Sequence, residues 1–354
     1  MSDIDLSGIG ELDLGAWEAL WRSFSGSSPF GYAGVKDMIL ALASGSGGLS
    51  PASVLEAVKQ FALEAFRQSF ASYAALIAVA VLAALMGVIS KEKDGIGSAA
   101  GFLCFGMSAA LVAYNLARVV ALTAASIDAL SNCVETVTPV MTAALAATGS
   151  AASSTLMQPL TAFLSLAVTG AFKNIVLPLV AAAGMASMLG VLSESGSLEH
   201  MFGFFKSAVK WIVGAVFTVY FGVVSIQGIT VARADSLAMR TARYALDKSV
   251  PIVGGAVSGT LDTLLASATL IKNAAGAAAV VTAVMVAATP LIAIACSGLA
   301  CRAIAALCEP LGDKRIPGLL TKMADVCTLL FATLIAVAAM FIITAGLTFA
   351  AGNP

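Results

Sequence analysis

Charge is the scarcest ingredient of this 354-residue chain: Asp, Glu, Lys and Arg make up 11% of it, against 59% hydrophobic types. Ordinary soluble domains carry roughly 25% charged residues. A soluble body of this length could not cover its surface with so few. The chain therefore reads as an integral membrane protein before any motif is considered. Other scarcities exclude further classes. There is one histidine, His200, so His-based metal sites and His-centred triads are nearly excluded. Neither sign of charge dominates, the net charge being -1, so no basic field exists to hold nucleic acid. No G-x-x-x-x-G-K-[ST] stretch occurs, so the chain carries no P-loop ATPase engine. None of the six cysteines (Cys104, Cys133, Cys296, Cys301, Cys308, Cys327) forms a C-x-x-C pair. Most lie in or beside apolar runs, as small buried hydrophobes do. No acid and base pair over a believable substrate pocket, so no enzyme is expected, and no cofactor or metal is implied.

What is present is uncharged length. A helix needs about 20 apolar residues to cross the hydrocarbon core. Seven uncharged runs reach that length: 68–90, 95–117, 136–172, 174–193, 211–232, 273–301 and 326–354. Six hold convincing spans, at 72–89, 98–117, 175–192, 211–229, 274–297 and 326–348. The seventh, 136–172, is rich in Ser, Thr, Ala and Gly and carries Pro139 and Pro159. It is expected to be a broken span or a re-entrant hairpin, which membranes tolerate only where protein or water surrounds the backbone. The fold class is thus all-α, a polytopic membrane protein with about 6–8 embedded helices. The 32 glycines and many alanines suit close helix packing in lipid.

The first 67 residues differ, with eight acids against four bases. Leu14, Trp17, Leu20, Trp21 and Phe24 recur at helical spacing, and Ser50-Pro51 reads as an N-cap with proline in the first turn. Two or three small amphipathic helices are expected there. No basic n-region or apolar h-region precedes them, so no signal peptide is visible. Residues 197–210 look like a separate interfacial helix, with Leu198, Met201, Phe202, Phe205 and Val209 on one face. Residues 301–325 read as helix, a Pro/Gly turn at 309–315, then helix. Basic residues favour the cytoplasm. Lys91 and Lys93 after the first span then place the N-terminal region outside, although Arg233, Arg240, Arg243 and Lys248 fall on the wrong side of that topology.

The second half echoes itself. Thr138-Pro139-Val140 opens a small-residue stretch ending at Lys173-Asn174 and an apolar run, and Val250-Pro251-Ile252 opens one ending at Lys272-Asn273 and an apolar run. The domains expected are an acidic N-terminal region (1–67), two first spans (68–130) and two repeat-like units (131–229 and 230–354). Pro/Gly-interrupted segments at matching positions of two halves point to a substrate path in transporters. The two Lys-Asn pairs are the sharpest local signal. Charges within a bundle are expensive and usually face its interior or a polar cavity. Lys173, Asn174, Lys272 and Asn273 are therefore candidates to line a conduit, with Asp262 or Asp128 as possible acid partners; the bland alternative is a lysine snorkelling from a helix end. Asp262 and Lys272 are ten residues apart and cannot pair within one straight helix. Arg240 and Arg243, with Tyr244 and Asp247, are helical neighbours that suit either a functional patch or a solvated face.

The order of short motifs carries a resemblance. It runs Val223-Val224-Ser225-Ile226-Gln227-Gly228-Ile229, Asp235, Arg240-Thr241-Ala242-Arg243-Tyr244-Ala245, Val250-Pro251-Ile252-Val253-Gly254-Gly255, Ile271-Lys272-Asn273-Ala274-Ala275-Gly276 and Glu309-Pro310-Leu311-Gly312-Asp313-Lys314-Arg315. From about residue 132 onward the chain resembles the stage III sporulation protein AE family of endospore-forming bacteria. The resemblance implies a multipass protein of the mother-cell membrane around the forespore. It implies partners among the other products of the same sporulation operon, including a separate ATPase subunit, and a partner in the forespore membrane. Together these would form a transenvelope channel or secretion-like complex. It supplies no catalytic residues. Members of that family usually begin with an exported segment behind a signal sequence, a feature not seen here. The competing reading is a secondary transporter for a small solute, with Lys173, Lys272 and Asp262 converging on a midplane site between two repeats. An intramembrane enzyme is the third reading and finds no activated nucleophile.

Overall fold

The computed structural model describes residues 13–24, 32–44, 95–148, 150–193, 196–249, 254–309 and 315–350, with isolated helical positions between 56 and 82. Among these residues all regular structure is helical. Two short helices, α1 (Gly15–Phe24) and α2 (Val35–Ala43), precede α3 (Gly95–Ala147). Helix α4 (Ala151–Ala171) runs through a π-helical turn, Phe172–Val176, into α5 (Leu177–Ser193). Helices α6 (Gly196–Ser249), α7 (Gly254–Cys308) and α8 (Arg315–Ala350) complete the chain. Among the described residues five stretches are long and apolar enough to cross a membrane: Phe105–Ala147, Met157–Val191, His200–Ile226, Ala266–Cys308 and Arg315–Gly346. The chain is an all-α polytopic membrane protein.

Five of the six expected spans lie within these helices. The one at 72–89 falls mostly outside the described residues. Segment 136–172 is broken, as expected, between Ala147 and Ala151, and both of its parts are helical. It forms the end of α3, a tight turn and the whole of α4, both helices containing an internal proline. Proline removes one N–H from the ladder, yet each helix runs on through it, and nearby threonine hydroxyls bond other carbonyls of the same turns. Thr138 Oγ1 donates to the Val134 carbonyl at 2.6 Å, and Thr161 Oγ1 to the Met157 carbonyl at 2.8 Å. Segment 197–210 is likewise the opening of α6 and not a separate interfacial helix. Its Phe202 and Val209 are buried as expected. Helix α7 ends at Cys308 and α8 begins at Arg315; residues 310–314, where the Pro/Gly turn is expected, lie outside the described residues.

Helix α8 is the centre of the bundle and meets all the other long helices. Contacts along it fix how they align. At one rim, a Cβ on Gly318 would lie 3.8 Å from Val191, and Lys322 Nζ sits 5.5 Å over the Phe202 ring. At the other rim, the Tyr220 hydroxyl donates to the Met340 carbonyl at 2.5 Å and meets the Thr344 hydroxyl. A small cavity at that rim is lined by Cys133, Val137, Met141, Ala279, Ala283 and Thr344. Helices α3, α6 and α8 therefore run in one direction, and α5 and α7 in the other. Gly318 to Thr344 spans about 39 Å at 1.5 Å per residue, enough to contain a hydrocarbon core of about 30 Å.

The N-terminal helices cap the second rim. Leu14 just before α1, Trp17 and Trp21 of α1, and Val35, Met38 and Ile39 of α2 are buried, the last three against α7. Trp17 Nε1 donates to Thr282 Oγ1 at 3.2 Å, across 265 residues of sequence. Alanines at 274, 275, 278, 279 and 283 keep that part of α7 narrow, which leaves room for the indole. Glu18 ties the two helices together, accepting the Lys36 backbone N–H at 3.0 Å. An acid at the positive end of α2 is favourable. Gly34 is required by this approach, because a Cβ there would lie 2.7 Å from the Glu18 carboxylate.

Candidate functional site

Helices α3 and α4 form an antiparallel pair joined by a polar seam. On α4 and the π turn, Thr161, Ser165, Thr169 and Lys173 recur every four residues and so lie along one face. On α3 they meet Asp128, Ser131 and Glu135. Lys173 Nζ donates to both oxygens of Asp128 at 2.7 Å. Further along, the Ser131 and Ser165 hydroxyls bond each other at 2.6 Å, and the one whose proton is not used there donates to Glu135 Oε1, which lies 3.1 Å from Ser131 Oγ and 3.3 Å from Ser165 Oγ. The buried Thr169 hydroxyl between them has no hydrogen-bond partner.

The ion pair is at membrane depth. Asp128 is nine residues before Val137, which lines the cavity at the second rim. That is about 13 Å along α3 toward the bundle middle, or about 6 Å from the midplane. The pair is not enclosed: the side chains keep 35% (Lys173) and 46% (Asp128) of their surface. The π turn carries Lys173 and Asn174. Such turns occur often at functional sites because they re-aim side chains at the cost of regular bonding. Asn174 is exposed beside the pair.

The other expected residues are placed elsewhere. Lys272 has no exposed surface and Asn273 Oδ1 is buried without a hydrogen-bond partner. Both stand outward of the second rim, since Lys272 precedes the cavity-lining Ala279 and Ala283 on α7. Lys173 and Lys272 thus differ in depth by about 27 Å. Asp262 is further out still, about 15 Å beyond Lys272 on the same helix. Arg240 and Arg243 lie in the distal part of α6. The side chains of Asp262, Arg240 and Arg243 lie outside the described residues. The expected pairing of Lys173 with Asp128 is present. Ser131, Glu135 and Ser165 were not expected. Their signal is the i, i+4 spacing of Ser131 and Glu135 on a helix that looks too polar for lipid. The five described cysteines, Cys133, Cys296, Cys301, Cys308 and Cys327, are free thiols and buried.

A family model, stage III sporulation protein AE, matches residues 33–352. The chain belongs to this family. A stage III sporulation protein AE of Bacillus subtilis (strain 168) is 25% identical over 228 residues, 64% of this chain and 57% of that relative. The chain thus matches less than two thirds of the length of the relative. No solved structure matches. The AE family match takes in the whole α3–α4 seam and every long helix. It begins after α1, so the helix that inserts Trp17 against Thr282 lies ahead of the matched region.

Proposed function

We propose that this chain is a non-enzymatic multipass subunit of a sporulation transenvelope channel or secretion-like complex, in the mother-cell membrane around the forespore. Its partners are other products of the same sporulation operon, among them a separate ATPase subunit, and a protein of the forespore membrane. The AE family match over 33–352 carries this reading. The half-exposed ion pair at membrane depth supports it, because ionisable residues within a membrane mark pathways or contacts. The transporter reading needs Lys173, Lys272 and Asp262 at one level. Their spread in depth along the bundle favours the channel.

Two measurements test the proposal. In an endospore-forming host that depends on this chain, Lys173→Ala and Lys272→Ala lower spore yield more than Lys206→Ala and Lys322→Ala. Equal, negligible effects would remove any role for the two Lys-Asn pairs. In the second, the purified chain alone in liposomes shows no saturable solute uptake. Saturable uptake would replace the channel subunit with a transporter.

A further inference from the structure

The outward face of α3 is unlike a lipid-facing surface. Ala117, Ala121, Ala125, Asn132 and Glu135 are exposed along it and Asp128 is half-exposed, at the three- and four-residue spacing of one helix face. Beside this stripe, Arg118 and Asn174 are also exposed. The outward face of α6 is different in kind. Phe204, Trp211, Val219 and Ile226 stand exposed there, Trp211 at 80%. From Ala117 to Glu135 the α3 face thus presents mostly alanine, amide and charge, with Leu122 of α3 and Phe163 and Leu166 of α4 also exposed, while α6 sets its large apolar groups beside small residues such as Gly214, Ala215 and Thr218.

Several polar groups on the α3 side have no partner within the described chain. Glu135 is exposed, and only its Oε1 has a hydrogen-bond partner among the described residues. Pro139 lacks the N–H that would bond the Glu135 carbonyl. The exposed amides of Asn132 and Asn174 make no described hydrogen bond. Unbonded polar groups in hydrocarbon cost several kcal/mol each, so this face does not meet lipid tails. A close helix contact would satisfy the alanines. It would also press a second helix onto the Lys173–Asp128 pair and the free Glu135 oxygen, neither of which is shielded.

We infer that the α3–α4 seam lines a water-filled passage of the assembled complex, and that the α6 face meets lipid. The inference rests on the channel reading and adds its sidedness. Water bonds Glu135 Oε2, the freed carbonyl and both amides. The Lys173–Asp128 pair stands in the passage wall near mid-membrane.

Single cysteines decide it. They are placed at Ala121, Ala125 and Asn132 on the seam side, and at Phe204, Trp211 and Val219 on α6. The full chain in membranes of sporulating cells is treated with a membrane-impermeant charged thiol reagent. A thiol in apolar surroundings keeps its proton, and one unit of thiol pKa is tenfold in thiolate. The seam positions therefore react at least about tenfold faster than the α6 positions; Cys104 is replaced by Ser, and the five described native cysteines, being buried, give a low background. Equal rates on the two faces, or faster reaction on α6, would overturn the inference. Seam cysteines that resist the reagent but join copy to copy by disulfide would make this face a packed contact, overturning the inference and leaving the channel reading intact. Saturable uptake by the purified chain in liposomes would sink the channel reading even if the seam is wet.

Discussion

Trp17 offers the sharpest test of how the N-terminal region is held. The residue is fully buried and donates to Thr282. An aromatic side chain of this size removes roughly 150–250 Å² from water. At about 25 cal/mol per Å² that is about 4–6 kcal/mol, and measured Trp→Ala costs in cores run about 3–5 kcal/mol. The lost hydrogen bond adds about 1 kcal/mol. Helix α1 has ten residues and only Leu14 and Trp21 as further buried anchors. A loss of that size exceeds what so short a helix retains, so Trp17→Ala undocks α1 locally while the long helices stay packed. The chain has three tryptophans, and Trp211→Phe leaves only the two buried ones. In that background Trp21 emits at short wavelength when α1 is docked. Adding Trp17→Ala moves its emission to the red and exposes the segment after residue 24 to protease. Thr282→Val removes the hydrogen bond alone and shifts neither readout by more than a fraction of this. Unchanged Trp21 emission and protease resistance in Trp17→Ala would show that α1 is held by something other than the indole.

Two further substitutions probe close approaches elsewhere. Gly34→Ala drives a methyl into the Glu18 carboxylate and breaks the link from α1 to the start of α2; the cost is about 0.5–2 kcal/mol, the worth of a helix cap, and Glu18→Ala gives a similar loss of protease resistance. Gly184 faces Leu116 across the α3–α5 contact, where a Cβ would lie 2.7 Å from the leucine Cδ2. Gly184→Val therefore overpacks the bundle by about 1–3 kcal/mol and lowers the melting temperature in detergent, and Leu116→Ala in the same chain restores part of it.

Which parts were legible in the sequence follows from what each signal measures. Uncharged length marks membrane helices well, because it reports the cost of charge in hydrocarbon, and 98–117, 175–192, 211–229, 274–297 and 326–348 all fall inside observed helices. Length of the whole helix is a different matter. Helix α3 continues past Arg118, Asp128 and Glu135 to Ala147, because those side chains leave the bundle without interrupting the backbone ladder. The prolines at 139 and 159 marked a break but not its place: each helix runs on through its proline, losing one ladder bond, and the break falls between Ala147 and Ala151. The Lys173–Asp128 pair could be named as one of two options from composition, but choosing between Asp128 and Asp262 needed the antiparallel register of α3 and α4. The burial of Trp17 against Thr282 was out of reach, since amphipathic spacing tells which face is covered and not by what.

The π turn sets the phase of the helix that contains it. Ser165 and Gly184 both face α3, one against Glu135 and the other against Leu116. Nineteen residues separate them. In an unbroken α-helix that is about 5.3 turns, which would put the second residue about 100° off the face of the first. One extra residue taken up at Phe172–Val176 leaves about 5.0 turns. A single inserted position thus lets one continuous rod keep both its polar half and its apolar half against the same neighbour.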